Sequence, residues 1–410
     1  MSKRVAFVAV ALVAAAGLAV QAATAARGHH AVKQSSHLLV GINDEADTLY
    51  GNPAAGFAAL KSLNSQVLRV NLYWGGTKWA ISRGAKPTDA TDAGDPAYDW
   101  SLYDRLVRYA ATYHIQIVFS ILFTPSWANG GKGRTVAPTN PQDLRDFTYA
   151  AAARYSGFYV PPAWQQQPTL APPTSPLPAV TRWTAWNEPN NPNFLTPQYK
   201  RVGGAWRVES AYQYAKICNA VYDGVHAVII NPERGAIPGE QVACGVTDPK
   251  GNDAPAQSRP SVDPLSFLSA AHAYGMKTFD VYAHNPYANA GSESPTFIPT
   301  GAHVRRVQMG NIGLLLNLIT KYYGPKHLWI TEYGYQTNPP DTTVFGTSWA
   351  NQAAYLKKAF AMARANPRID MLLWFLIRDE PVIGGWQSGL ETVTGKKKPA
   401  WNAFISLPRG

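Results

Sequence analysis

Two glutamates close two short apolar runs. Glu188 follows Arg182-Trp183-Thr184-Ala185-Trp186-Asn187, and Glu332 follows Leu328-Trp329-Ile330-Thr331. Pro189 comes directly after Glu188 and lacks the N–H that a central strand needs, so the chain must turn there. Each glutamate is therefore expected at the carboxyl end of a buried strand. They are 144 residues apart, room for three strand–helix units between them. Two carboxyl groups flanking one bond, among tryptophans and amides, are the equipment that glycoside cleavage requires.

The elements that must position them recur with a regular rhythm. Strands are read at 38–43, 67–73, 115–122, 182–186, 241–245, 278–284, 328–332 and 371–376. Helices are read at 53–63, 101–113, 141–155, 205–227, 263–274, 304–323, 347–366 and 399–405. Asn140 before Pro141 has the form of a helix cap with proline in the first turn. Near-continuous apolar strands alternating with helices imply a parallel sheet covered on its outer face. Eight such units are the count of a closed (β/α)8 barrel. An open doubly wound sheet is the alternative, but no glycine-rich phosphate loop follows the first strand.

In a barrel the carboxyl ends of all strands face one pocket. The residues expected there are Asn43, Asp44, Arg69, Asn71, Tyr73, Trp74, Phe123, Trp127, Trp186, Asn187, Glu188, Tyr282, His284, Asn285, Tyr287, Glu332, Tyr333, Tyr335, Trp374, Arg378 and Asp379. Aromatic faces suit the C–H face of a sugar ring, and amides suit its hydroxyls. Trp186 and Trp374 are the expected platforms, although core filling is the ordinary fate of a tryptophan. His284 is expected in the pocket because Asn285-Pro286-Tyr287 follows it; a satisfied structural histidine is the alternative. Arg69 lies within a strand, where a buried cation needs a carboxylate partner, and Glu332 is a candidate for it.

Trp186-Asn187-Glu188-Pro189 resembles the acid/base segment of the clan A glycoside hydrolases. Ile330-Thr331-Glu332-Tyr333-Gly334 resembles that clan's nucleophile strand. The likeness covers nearly the whole chain after the leader, and the Trp-Asn-Glu-Pro-Asn form is similar to families 39 and 5. It implies a retaining mechanism with Glu188 as acid/base and Glu332 as nucleophile. It further implies that Asn187 holds the sugar 2-hydroxyl, that Tyr287 bonds Glu332, that His284 lies near the acid/base, and that Arg69 and Trp374 are accessory residues. Asn285, inserted before the proline, departs from the clan's usual histidine segment.

The rest of the chain bounds the address and the partners. Lys3 and Arg4 precede an apolar run from Val5 to about Ala19, and Ala23-Thr24-Ala25 forms a cleavage-like end, the pattern of a signal peptide over residues 1–25. A retained anchor is the alternative, but the run is short for a span of about 20 residues. Secretion or association with the cell wall is expected, with no membrane contact after cleavage. Residues 26–36 read as a flexible lead-in to the barrel at 37–410. Seven prolines fall within residues 160–179, which reads as extended surface chain on the face opposite the pocket.

The net charge is +11, or +9 without Lys3 and Arg4, and it is scattered rather than gathered into a stripe. Nucleic acid is therefore not an expected partner; an oligo- or polysaccharide is. No cofactor and no metal is expected, since no ligand spacing is present. Cys218 and Cys244 are read either as a disulfide between consecutive elements or as two buried thiols. A barrel that binds sugar without cutting it, and a transglycosylase that remodels cell-wall glycan, are the competing functional readings.

Overall fold

The computed structural model describes residues 37–166, 175–231 and 235–409. The expected leader, the lead-in and the middle of the proline-rich stretch lie outside them. Eight parallel strands close into a barrel: β1 Leu39–Asn43, β2 Val67–Tyr73, β3 Gln116–Leu122, β4 Arg182–Ala185, β5 Gln241–Thr247, β6 Val281–His284, β7 His327–Tyr333 and β8 Ile369–Phe375. Each pairs with its sequence neighbours, and β8 pairs with β1 to complete the ring. The (β/α)8 expectation is met.

Alternation along the strands sorts side chains into two cores. Val67, Val118, Ala243, Val281, Ala283, Trp329, Met371 and Leu373 pack together inside the barrel. The intervening residues, among them Leu68, Val70, Phe119, Trp183, Cys244, Tyr282 and Trp374, face the helical layer. This parity decides which strand residues can reach the pocket.

The helices are α1 Pro53–Ser62, α2 Ser101–Thr112, α3 Pro141–Arg154, α4 Glu209–His226, α5 Pro264–Ala273, α6 Gly313–Tyr323, α7 Trp349–Ala365 and α8 Pro399–Ile405. Asn52, Asn140, Asp263 and Ser348 each accept a backbone N–H of the helix they precede, and proline follows the first three of these caps. Two expected helices start late. Residues 205–208 are the second strand of a hairpin, Tyr199–Val202 with Ala205–Val208, and α4 begins only at Glu209. Gly203 and Gly204 turn this hairpin with φ of +57° and +83°, values costly for other residues. Residues 304–312 carry only a short 3-10 turn, so α6 is shorter than expected.

Cys218 on α4 and Cys244 on the outer face of β5 form a disulfide with Cα atoms 5.8 Å apart. It joins the helix to the strand it covers. Among the described residues, no helix is long and apolar enough to cross a membrane.

Candidate active site

A cavity of about 510 Å³ opens at the carboxyl ends of the strands. Glu188 and Glu332 both line it, with Asn43, Asn71, Asn187 and Tyr287 among their neighbours. The backbone leading to Glu188 is unusual. Trp186 and Glu188 have φ of +70° and +38°, and across the pocket floor Val246 and Leu376 have +48° and +80°. Left-handed backbone is rare outside glycine and most costly for a β-branched residue. At Glu188 it is fixed by hydrogen bonds: the Trp186 N–H donates to Ile121 O at 2.9 Å and the Glu188 N–H to Val246 O at 2.8 Å. These bonds splice the end of β4 onto β3 and β5 and turn Glu188 into the cavity.

Glu332 is held from beneath. Arg69 occupies the inward face of β2, two residues beyond Val67, so it rises through the barrel. Its Nη1 donates to Glu332 Oε1 at 2.5 Å, and its Nη2 to Asn187 Oδ1 at 2.8 Å and Ser120 Oγ at 2.9 Å. The Tyr287 hydroxyl donates to Glu332 Oε2 at 3.1 Å. Both carboxylate oxygens thus have donors. The β7–β8 register slips between Ile330 and Tyr333, which releases Glu332 from strict alternation with Trp329.

Glu188 has different company. The Asn285 amide donates to its Oε1 at 3.1 Å, and Thr331 donates to the Asn285 carbonyl at 2.7 Å, which sets the orientation of that amide. Among the described residues, no cation pairs with it directly. Burial pushes its pKa well above the usual carboxylate range, and the negative charges of Asp248 and Glu332 add to the effect. One carboxyl with a counter-ion and one favoured in its protonated form is the division of labour that two-carboxylate chemistry uses.

Of the other expected residues, Asn187 and Tyr287 line the cavity and Arg69 supports it from below. Asp44, Tyr73, Trp74, Phe123, Trp127, Tyr282, Tyr333, Arg378 and Asp379 do not line it, and neither do His284, Trp374 and Trp186. His284 is fully buried; its Nδ1 faces Thr247 Oγ1 at 2.7 Å and its Nε2 faces Val307 O at 2.9 Å. Val281 and Ala283 point inward, so alternation sends His284 to the helical layer and gives the inward place to Asn285. Burial holds the imidazole down at about 4, a neutral structural histidine. Trp374 follows the same parity between Leu373 and Phe375; its Nε1 donates to Ser388 O at 2.9 Å. Trp186, fully buried, donates to Phe194 O at 2.8 Å.

The aromatic wall comes instead from Trp386, which lies 5.3 Å from Tyr287 and 5.1 Å from Phe375 between ring centres. Its loop position left no periodic signal. On the opposite wall Glu45 accepts the Asn71 N–H at 2.6 Å and the hydroxyls of Tyr73, at 2.9 Å, and Tyr50. Among the described residues the buried Asn71 side-chain oxygen has no hydrogen-bond partner. Among the described residues, no group of three or more His, Cys, Asp or Glu is arranged to hold a metal ion.

No protein-family model and no curated protein sequence matches this chain. Solved structures do. A family 39 glycoside hydrolase from the gut symbiont Bacteroides cellulosilyticus WH2 superposes with a TM-score of 0.55 at 16% identity, covering 91% of this chain and 63% of that one. A GH5_18 protein from Streptomyces cattleya, solved with GlcNAc, gives 0.56 at 12% identity over 92% of this chain and 82% of that one. Fungal β-1,4-galactanase gives 0.53 at 12% identity over 90% and 99%. This chain therefore spans less than two thirds of the length of the family 39 protein. What it shares with these glycoside hydrolases is the (β/α)8 barrel fold.

Proposed function

We propose that this protein is a retaining glycoside hydrolase acting on an oligo- or polysaccharide. The observation that carries the reading is the unequal pair, Glu332 with a counter-ion and Glu188 favoured in its protonated form, in one cavity at the strand ends. Glu332, oriented by Arg69 and Tyr287, attacks the anomeric carbon while Glu188 gives its proton to the departing oxygen. The glycosyl–Glu332 ester is then opened by water, whose proton returns to Glu188. Asn187, pinned by Arg69, presents its amide N–H groups to the sugar 2-hydroxyl. The Trp386 ring supplies an apolar face to the rest of the ring.

Export to the cell exterior or cell wall is part of the proposal. The leader-like start of the chain supports it, and so does the Cys218–Cys244 disulfide, a bond that persists in oxidising compartments.

Glu188→Gln and Glu332→Gln test the reading. Loss of the general acid is expected to lower kcat by roughly 10²–10⁴-fold, and loss of the nucleophile by at least as much, with far-UV circular dichroism unchanged. Full activity in either variant sinks the assignment.

A further inference from the structure

Asp248 has no part in the two-carboxylate scheme, yet it lines the same cavity as Glu188 and Glu332. It lies at the end of β5, one residue past Thr247. Its backbone N–H donates to Asn190 Oδ1 at 2.8 Å, and its Oδ1 accepts the Lys250 N–H at 2.9 Å. Asn190 is itself fully buried and donates to Val262 O at 2.9 Å. The carboxyl group is thus placed by the fold. Its other oxygen, Oδ2, accepts from Asn191 Nδ2 at 2.8 Å, and the same amide nitrogen stands 3.5 Å from Glu188 Oε2. One amide spans both carboxyl groups.

We propose that Asp248 is a positioning residue for the acid/base: through Asn191 and its own charge it governs when Glu188 holds its proton. This rests on the role given to Glu188 above. The other groups facing Glu188 are Glu332 on β7, Arg69 on β2, the Tyr287 phenol and the Asn285 amide, while Lys250 acts on Asp248 itself. Arg69 is committed to Glu332, and Lys250 Nζ donates to Asn289 Oδ1 at 3.1 Å. Among the described residues no cation forms an ion pair with either carboxyl group, and the charges of Arg69 and Lys250 oppose the effect only from a distance. Burial raises both groups, and the negative charges of Asp248 and Glu332 both push Glu188 further up.

The proton balance follows. In the first step the bond from the anomeric carbon to the departing oxygen breaks as the bond to Glu332 forms, and the Glu188 proton moves to that oxygen. A second carboxylate now stands beside Asp248, with one amide between them. That repulsion favours return of a proton to Glu188 from the attacking water as the ester to Glu332 opens.

The test uses Asp248→Asn, Asp248→Glu and Asn191→Ala in the full-length protein, with two readouts. One is the pH profile of kcat/KM on a hydrolysed glycoside. The other needs no substrate: the pH titration of the Glu188 carboxyl stretch by infrared difference against Glu188→Gln. In Asp248→Asn the titration and the alkaline limb move to lower pH, so kcat/KM falls roughly tenfold more at pH 8 than at pH 5. Asp248→Glu keeps the charge and restores the limb. Asn191→Ala removes a donor to the carboxylate and moves the limb the other way. An unchanged Glu188 titration in Asp248→Asn overturns the proposal. If the wild-type protein cleaves no glycoside, the functional reading fails, while the infrared titration still decides the coupling.

Discussion

Arg69 and Glu332 form a buried ion pair across the barrel, and their interaction can be measured without knowing the substrate. Their side chains are 1% and 11% exposed, so solvent screens the pair little. Arg69→Met keeps the aliphatic stem but removes the donors to Glu332, Asn187 and Ser120. It leaves a carboxylate on the cavity wall with the Tyr287 hydroxyl as its remaining donor. Breaking one side of a buried pair costs about 3–5 kcal/mol, chiefly from the stranded charge. Glu332→Gln strands the arginine instead, though its amide oxygen still accepts one bond, so about 1–3 kcal/mol is expected. In the double variant no charge is left unpaired, and its loss should fall short of the sum of the two single losses by about 2 kcal/mol or more. Equilibrium urea denaturation of the four proteins reads this directly from midpoints at a common slope. Losses that add to within about 0.5 kcal/mol would mean that the two side chains are independent, and would refute the account of how Glu332 is held.

Two further outcomes follow from particular side chains. Trp386→Ala removes the half-exposed ring on the cavity wall, and a lost aromatic contact of about 1 kcal/mol should raise KM roughly fivefold with a smaller change in kcat; an unchanged KM removes Trp386 from the site. Glu240, at the opposite end of the barrel, is pushed up to about 7 by burial, which outweighs the opposing effects of His226 and the Trp183 indole. The folded protein keeps this proton at pH values where the unfolded chain has lost it. The stability it contributes is therefore complete below the unfolded carboxylate range and lost as pH rises through about 7. Glu240→Gln should flatten the fall in urea midpoint between pH 5 and pH 8, and parallel curves for variant and wild type contradict this.

The barrel was legible because each strand is a short apolar run bounded by turn residues, and because Asn140-Pro141 and Asp263-Pro264 mark helix starts. Glu188 and Glu332 were legible for a related reason: both stop an apolar run. For His284 and Trp374, position at a strand end does not decide the outcome, because parity along the strand does. Counting by twos from Val281 and from Met371 puts both side chains outside the barrel and turns Asn285 and Phe375 inward. Residues 205–208 run into α4 without a break in apolar pattern, and only the Gly203-Gly204 turn before them marks a hairpin strand. Trp386, Asp248 and Asn191 belong to loops whose paths depend on contacts between distant segments, such as Asn190 with Val262, and no local periodicity announces them.

The central claim is that Glu332 forms a covalent bond to the sugar. Mass spectrometry of the protein after treatment with 2-fluoro glycosyl inactivators of the xylosyl, glucosyl, galactosyl and arabinosyl series tests it most directly. A single sugar attached to the peptide carrying Glu332, together with a hydrolysis product of retained configuration, is the expected result. A sugar on Glu188 or Asp248 instead, or a product of inverted configuration, contradicts the account.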